Sequence, residues 1–163
     1  MKRIGLLSDT HYTWDERYRE HFSGCDEIWH AGDIGDIEIS DKLSEIAPLR
    51  AVLGNIDGGK LKGEFPLVQE FTMESIPVLI THIGGYPGKY APTIATTIRR
   101  KGIKLFVCGH SHILRIMYDH SLDCLVVNPG AAGTYGQQTV RTLVRFTMDN
   151  GIISDMEIIE LGS

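Results

Sequence analysis

Three common frameworks are missing from this chain. It has no disulfide scaffold: Cys25, Cys108 and Cys124 are odd in number and form no C-x-x-C pair, so they read as thiols of a reducing compartment. It has no basic excess: 16 Lys and Arg against 21 Asp and Glu leave a net charge of −5, which argues against a nucleic-acid polymer as the main partner. It has no membrane-length apolar run either. Ile4-Gly5-Leu6-Leu7 is cut off by Asp9 and His11, far short of a signal sequence or a span. Repeats, low-complexity segments and linkers are also lacking. These absences lead to the expectation of a cytoplasmic, unprocessed protein that forms one domain over residues 1–163. Its apolar content of 42% and charged content of 23% are ordinary for a globular chain. A chain of this length buries about two-thirds of the surface its unfolded form exposes.

What is present is a succession of short apolar runs, each giving way to a polar loop. Residues 3–8, 27–30 and 51–53 read as strands buried on both faces. Residues 14–22 and 39–47 between them read as helices, the second stopped by Pro48. In open α/β sheets ligands sit beyond the carboxyl ends of the strands, where the polar residues of these loops fall. The second half is richer in strands, at residues 67–72, 78–81, 105–108, 113–118, 122–127 and 140–148. Asn150-Gly151 is a hairpin signal leading into a last strand. Residues 81–90 hold three glycines and a proline and read as a loop, and residues 92–101 read as a helix closed by Gly102. The expected fold is α/β, two packed sheets with helices outside. The alternating strand at residues 140–148 offers an edge for self-pairing, which would make a homo-oligomer.

Seven oxygen or nitrogen donors recur at these strand ends: Asp9, His11, Asp33, Asn55, His82, His110 and His112. A tetrahedral zinc ion is filled by about four ligands, so seven exceed the needs of one ion. Two ions bridged by Asp33 account for them better, and paired ions about 3.5–4 Å apart hydrolyse phosphate esters. Two carboxylates leave two divalent ions with a positive surplus. That surplus attracts a phosphate and acidifies a bound water to hydroxide, which bridges the ions and attacks phosphorus in line with the leaving oxygen. His110 and His112, two apart in a strand-like stretch, would lie roughly 6.5 Å apart and serve different ions.

Taken in order, Asp9-Thr10-His11, Gly32-Asp33-Ile34-Gly35-Asp36, Gly54-Asn55-Ile56-Asp57, Thr81-His82 and Gly109-His110-Ser111-His112 resemble the five motifs of the calcineurin-like metallophosphoesterases. The short length and Asn128-Pro129-Gly130 are similar to the small bacterial and archaeal phosphodiesterases of that superfamily, a branch that includes the retromer subunit of the same fold. The resemblance implies a four-layer α/β/β/α sandwich of two packed mixed sheets. It implies one metal held by Asp9, His11, Asp33 and His112 and another by Asp33, Asn55, His82 and His110, the latter four also catalytic. Such ligands suit manganese, the first choice, and also iron, zinc or nickel. One position departs: many members have a histidine after the asparagine, to protonate the leaving group, and this chain has Ile56. Loss of a general acid removes about 10²–10⁴-fold of rate toward poor leaving groups.

Other polar residues carry plainer readings. His21 and His120 read as ordinary surface or packing residues, and His30 divides between packing and support of a ligand carboxylate. Asp36 and Asp57 read as either ligand-orienting groups or caps, with capping favoured for Asp36, which heads the segment 37–47. The sequence leaves open whether Tyr86, Tyr90 and Arg115 line the pocket. The leading expectation is a dinuclear metal-dependent phosphodiesterase acting on small phosphodiesters or cyclic nucleotides. A phosphomonoesterase, or a protein-interaction scaffold with little or no hydrolysis, is the alternative.

Overall fold

The computed structural model describes residues 1–162. The chain runs β1 (Lys2–Leu7), α1 (Glu16–Phe22), β2 (Glu27–His30), α2 (Ile37–Ile46), β3 (Leu49–Ala51), α3 (Lys60–Glu64), β4 (Val68–Met73) and β5 (Ile76–Thr81). It continues β6 (Gly85–Tyr86), β7 (Lys89–Tyr90), α4 (Ile94–Lys101), β8 (Leu105–Val107), β9 (Leu114–Asp119), β10 (Cys124–Pro129), β11 (Arg141–Asp149) and β12 (Ile152–Gly162). Two five-stranded sheets form, ordered β12-β11-β1-β2-β3 and β4-β5-β8-β10-β9, and β6 and β7 make a separate hairpin. Each large sheet has three parallel strands: β1-β2-β3 end at the β3 edge with antiparallel β11 and β12 on the other side, and β5-β8-β10 are central, flanked by antiparallel β4 and β9.

Three apolar cores separate four layers. Between the sheets, Ile4, Leu6 and Trp29 of one face Val78, Ile80 and Val107 of the other. Tyr18, Phe22, Ile39 and Leu43 carry α1 and α2 on the outer face of the first sheet. Ile94 and Ile98 carry α4 over Leu79 and Phe106 of the second. This is the α/β/β/α sandwich that the resemblance implies, with helices burying only one face each. No helix is long and apolar enough to cross a membrane among the described residues.

The differences from expectation have local causes. α1 starts two residues late because the Asp15 side chain caps it, accepting from the Arg17 amide. α4 begins at Ile94 rather than Pro92, because Thr93 is left-handed at φ 74° and breaks the helix from the proline. β3 lies two residues earlier than read: the Leu53 amide leaves the sheet to donate to the Pro66 carbonyl at 2.8 Å. β10 starts at Cys124 because Asp119 Oδ1 accepts from the Ser121 and Leu122 amides and holds them in a turn. Residues 81–90 contain the β6–β7 hairpin, and α3 has too few residues to show a period. The edge expected at residues 140–148 is not an edge. β11 lies between β1 and β12, because β12 pairs with it from Asp149 to Arg141. Asn150 and Gly151 join the two strands with positive φ at both positions, as a tight hairpin turn demands.

Candidate metal centre

The carboxyl ends of the two sets of parallel strands meet at one place. Loops from both sheets are stitched there by backbone bonds, Asp9 to the Gly32 carbonyl at 2.9 Å in one sheet and Gly109 to the His82 carbonyl at 2.9 Å in the other. A link between sheets runs from the His110 amide to Asp9 Oδ2 at 3.1 Å. This approach requires Gly109 to have no side chain: a Cβ there would fall 2.1 Å from Ser8 Oγ.

Asp9, His11, Asp33, His110 and His112 are all left-handed, with φ between 42° and 72°. Asp and His tolerate this region better than most residues, and such conformations collect at functional sites. The stretch 109–112 is therefore a kinked loop, not the extended segment expected from its spacing. Its two imidazoles face different groups. His112 joins Asp9 and His11, and His110 joins Asp33 and His82; within each group the donor atoms lie within 4.8 Å of one another.

The centre is short of partners. Asp9 Oδ1, His11 Nε2 and His82 Nε2 are buried polar atoms without a hydrogen bond, an arrangement that costs stability unless something else fills the space. Asp33 Oδ2 lies 3.2 Å from Nε2 of both His11 and His82. Asp9 Oδ1 lies 3.3 Å from His112 Nε2 and 3.7 Å from His11 Nε2. Carboxylate oxygens and imidazole nitrogens converging in this way are a donor set that fits divalent metal ions.

The charges agree. Burial raises the Asp33 carboxyl, but the neighbouring His82 imidazole and the amide of Ile56 outweigh it and hold it down at about 2. Asp9 is likewise held below the usual range, burial being overcome by His112, Ser8 and the charge of His82. Burial lowers His82, but Asp33 and Asp9 more than offset it and raise it, and His112 is raised by the Asp9 carboxylate beside it. Carboxylates depressed and imidazoles raised together describe a place that attracts positive charge.

Supporting groups aim these donors. Ser8 Oγ donates to Asp9 Oδ2 at 2.7 Å, leaving Oδ1 free for the centre. His82 Nδ1 lies 2.8 Å from the Ala31 carbonyl and must donate to it, so its bare Nε2 faces inward. Gln138 fixes His112 in the same way: its Oε1 is 3.0 Å from Nδ1, while its amide nitrogen donates to the Gly133 and Tyr135 carbonyls. Tyr135 stacks on His11 with ring centres 4.6 Å apart. Neither Gln138 nor Tyr135 was a candidate from sequence, because both sit singly in a polar loop without a spacing signal.

His30 and Asp57 are structural braces of the ligand loops. The Gly32 amide donates to His30 Nδ1 at 3.0 Å, so the ring proton is on Nε2, which reaches Thr10 Oγ1 at 3.0 Å. Burial lowers His30 to about 4 and keeps it neutral. Asp57 accepts from the amides of Ile34, Gly35 and Gly54, tying the loop after Asp33 to the loop that carries Asn55. Asp36 caps α2 through the Glu38 amide. His21 and His120 fall in neither donor group. Asn55 and Ile56 are exposed. Asn55 shares the lining of a cavity of about 380 Å³ with His82.

Comparison with known proteins places this geometry. The chain is 27% identical over 164 residues to a protein of Methanocaldococcus jannaschii named "probable metallophosphoesterase", covering 96% of this chain and 81% of that one. Its fold is similar to that of an archaeal phosphodiesterase, with TM-score 0.76 at 21% identity over 98% of this chain and 99% of the other. It is also similar to that of Vps29 from Chaetomium thermophilum, with TM-score 0.74 at 17% identity over 98% and 95% of the two chains. The pattern of the calcineurin-like phosphoesterase superfamily domain matches residues 1–151, and the chain belongs to that superfamily.

Proposed function

We propose that the protein is a phosphodiesterase that hydrolyses small phosphodiesters or cyclic nucleotides with two divalent ions, manganese first. One ion is assigned to Asp9, His11, Asp33 and His112, the other to Asp33, Asn55, His82 and His110. The observation that carries this reading is Asp33 Oδ2, equidistant at 3.2 Å from two inward imidazoles whose Nε2 atoms have no hydrogen bond. An oxygen so placed suits a bridge. When bound, a metal pair supplies an acidified water and neutralises charge growing on the phosphoryl oxygens. The free thiols of Cys25, Cys108 and Cys124 support a reducing, cytoplasmic setting.

The chain's own groups set what kind of ester can react. His110 is exposed beside His82, their rings 5.2 Å apart, so it borders the open side where substrate enters. Ile56 has no proton to give, and Asp57 is engaged by three amides. No side chain in that loop protonates a departing alkoxide, so aryl esters with acidic leaving groups should react faster than esters that expel an alkoxide, cyclic nucleotides among them. The test is turnover by manganese-loaded protein on an aryl phosphodiester, a cyclic nucleotide and an aryl monoester. The diester is expected to react fastest and Asp33→Ala to abolish it; a full-rate Asp33→Ala protein refutes the assignment.

A second reading, protein association, is favoured by the exposed apolar residues Leu67, Val68 and Ile83 around the cavity that holds Asn55 and His82. Bound metal without turnover on any ester of the panel selects it.

A further inference from the structure

Sharing His110 with the second donor group, a cavity of about 240 Å³ is walled by the β6–β7 hairpin and by β9 and β10. Its lining includes Tyr86, Tyr90, Arg115, His110 and Asn128. The hairpin wall is firmly built. Gly85 pairs with Tyr90 and Tyr86 with Lys89, and Pro87-Gly88 turns with Gly88 at φ 90°, the conformation a type II turn needs. Its base is held by the Ala91 amide on the Gly84 carbonyl at 2.9 Å and by Tyr90 Oη on Asp119 Oδ2 at 2.6 Å.

Arg115 is the unusual lining residue. It stands on β9 opposite Asn128, half-buried, with its guanidinium 3.7 Å from the centre of the Tyr86 ring. Among the described residues that guanidinium has no carboxylate and no hydrogen-bond acceptor. Of the other arginines, Arg3, Arg17, Arg19, Arg50, Arg141 and Arg145 are ion-paired, and Arg99 and Arg100 are exposed on α4. A stacked guanidinium holds its fork of N–H donors in a fixed plane, the geometry that receives a carboxylate or phosphate through two bonds. Tyrosine rings and glycine backbone around it suit the methylenes of an intervening arm.

We propose that this cavity is a subsite for a second anionic group, carboxylate or phosphate, carried on the substrate arm that extends past His110, with Arg115 as its anchor. This rests on the phosphoester reading of the metal centre, which would hold the other end of the substrate. The specificity that follows is for phosphodiesters bearing a terminal anion rather than a plain alkyl arm.

The test is calorimetric titration of the full-length manganese-loaded protein with phosphonocarboxylates of increasing chain length, the matching alkylphosphonates, and the matching bisphosphonates. One arm length is expected to bind about 10- to 100-fold tighter than its alkyl counterpart, the margin of a charge-assisted bidentate pair. The better of the carboxylate and phosphonate series identifies the anion. Arg115→Gln is expected to collapse the margin to near unity, and Arg115→Lys to restore part of it. A missing margin at every length, or one that survives Arg115→Gln, overturns the subsite. Turnover separates the two claims. Diester hydrolysis without an Arg115-dependent margin leaves the enzyme reading standing and removes the subsite; an Arg115-dependent margin without hydrolysis of any diester does the reverse.

Discussion

Asp57 tests whether the ligand loops are held by a single side chain. Its Oδ2 accepts from the Ile34 amide at 3.2 Å and the Gly54 amide at 2.8 Å, and its Oδ1 from the Gly35 amide at 2.9 Å. The residue is 5% exposed, so water cannot replace these bonds. Asp57→Asn offers one oxygen where two are needed, and its NH₂ must face at least one backbone N–H. An orphaned buried donor costs about 1–3 kcal/mol. Asp57→Ala removes both acceptor oxygens and all three bonds and should cost about 3–6 kcal/mol, allowing for relaxation of the loops, against a total stability of about 5–15 kcal/mol. Because Ile34 follows Asp33 and Gly54 precedes Asn55, the same change should weaken metal binding about tenfold or more, the usual effect of losing a ligand's support. The assay is urea unfolding of metal-stripped Asp57→Asn protein, repeated with manganese at increasing concentration. The midpoint should fall without metal and recover as the ion binds the folded state by mass action. A stripped variant that unfolds at the wild-type midpoint and binds manganese equally well refutes the reasoning.

Gln138→Ala frees the His112 ring from the bond that aims its Nε2 at Asp9. Metal titration should show one of two ions weakened by about 10- to 100-fold before the other; equal loss of both counts against the division of the two imidazoles. His30 is lowered by burial from 6.5 to about 4. Between those values the unfolded chain binds a proton that the folded chain refuses. Stability from this group is complete above pH 6.5 and falls as pH drops toward 4, by about 1 kcal/mol per pH unit. In metal-free protein, His30→Gln should flatten that slope relative to wild type, and parallel slopes would dismiss the role given to burial.

The six residues of the two donor groups each stand where an apolar run meets a polar loop, which is why their convergence was legible; Asn55, at the third such end, is exposed and lies in neither group. Two packed sheets with helices outside followed from the same pattern, and the four-layer sandwich from the family resemblance. Sheet order did not: nothing in residues 140–148 distinguishes an edge strand from an interior one, and it is pairing with β1 on one side and β12 on the other that places β11 inside. The supports were also hidden. Gln138 and Tyr135 act from a loop with no periodicity, and His30 looks like any residue of a buried strand until the Gly32 amide is seen on its Nδ1. The sequence leaves open whether Arg115 lines the pocket; its place there and its lack of a carboxylate are visible only once the neighbours are in place.

The kinked backbone explains why spacing alone misjudged the loop after β8. Asp-x-His and His-x-His use one device, a left-handed residue at each end: Asp9 at φ 55° and His11 at 42°, His110 at 72° and His112 at 64°. In an extended strand, residues two apart point the same way and stay roughly 6.5 Å apart. Left-handed ends release that constraint. Asp9 and His11 therefore converge in one donor group while His110 and His112 part to two. Each such residue costs about 1–3 kcal/mol when it is not glycine, and less for Asp and His. The cost is met by burial elsewhere, since the strands that end at these residues lie in the core between the sheets. Polar atoms held without partners and backbones held in a strained region have the same explanation here. The sandwich fixes the donors in advance, and a cation arriving at the centre finds them already turned toward it.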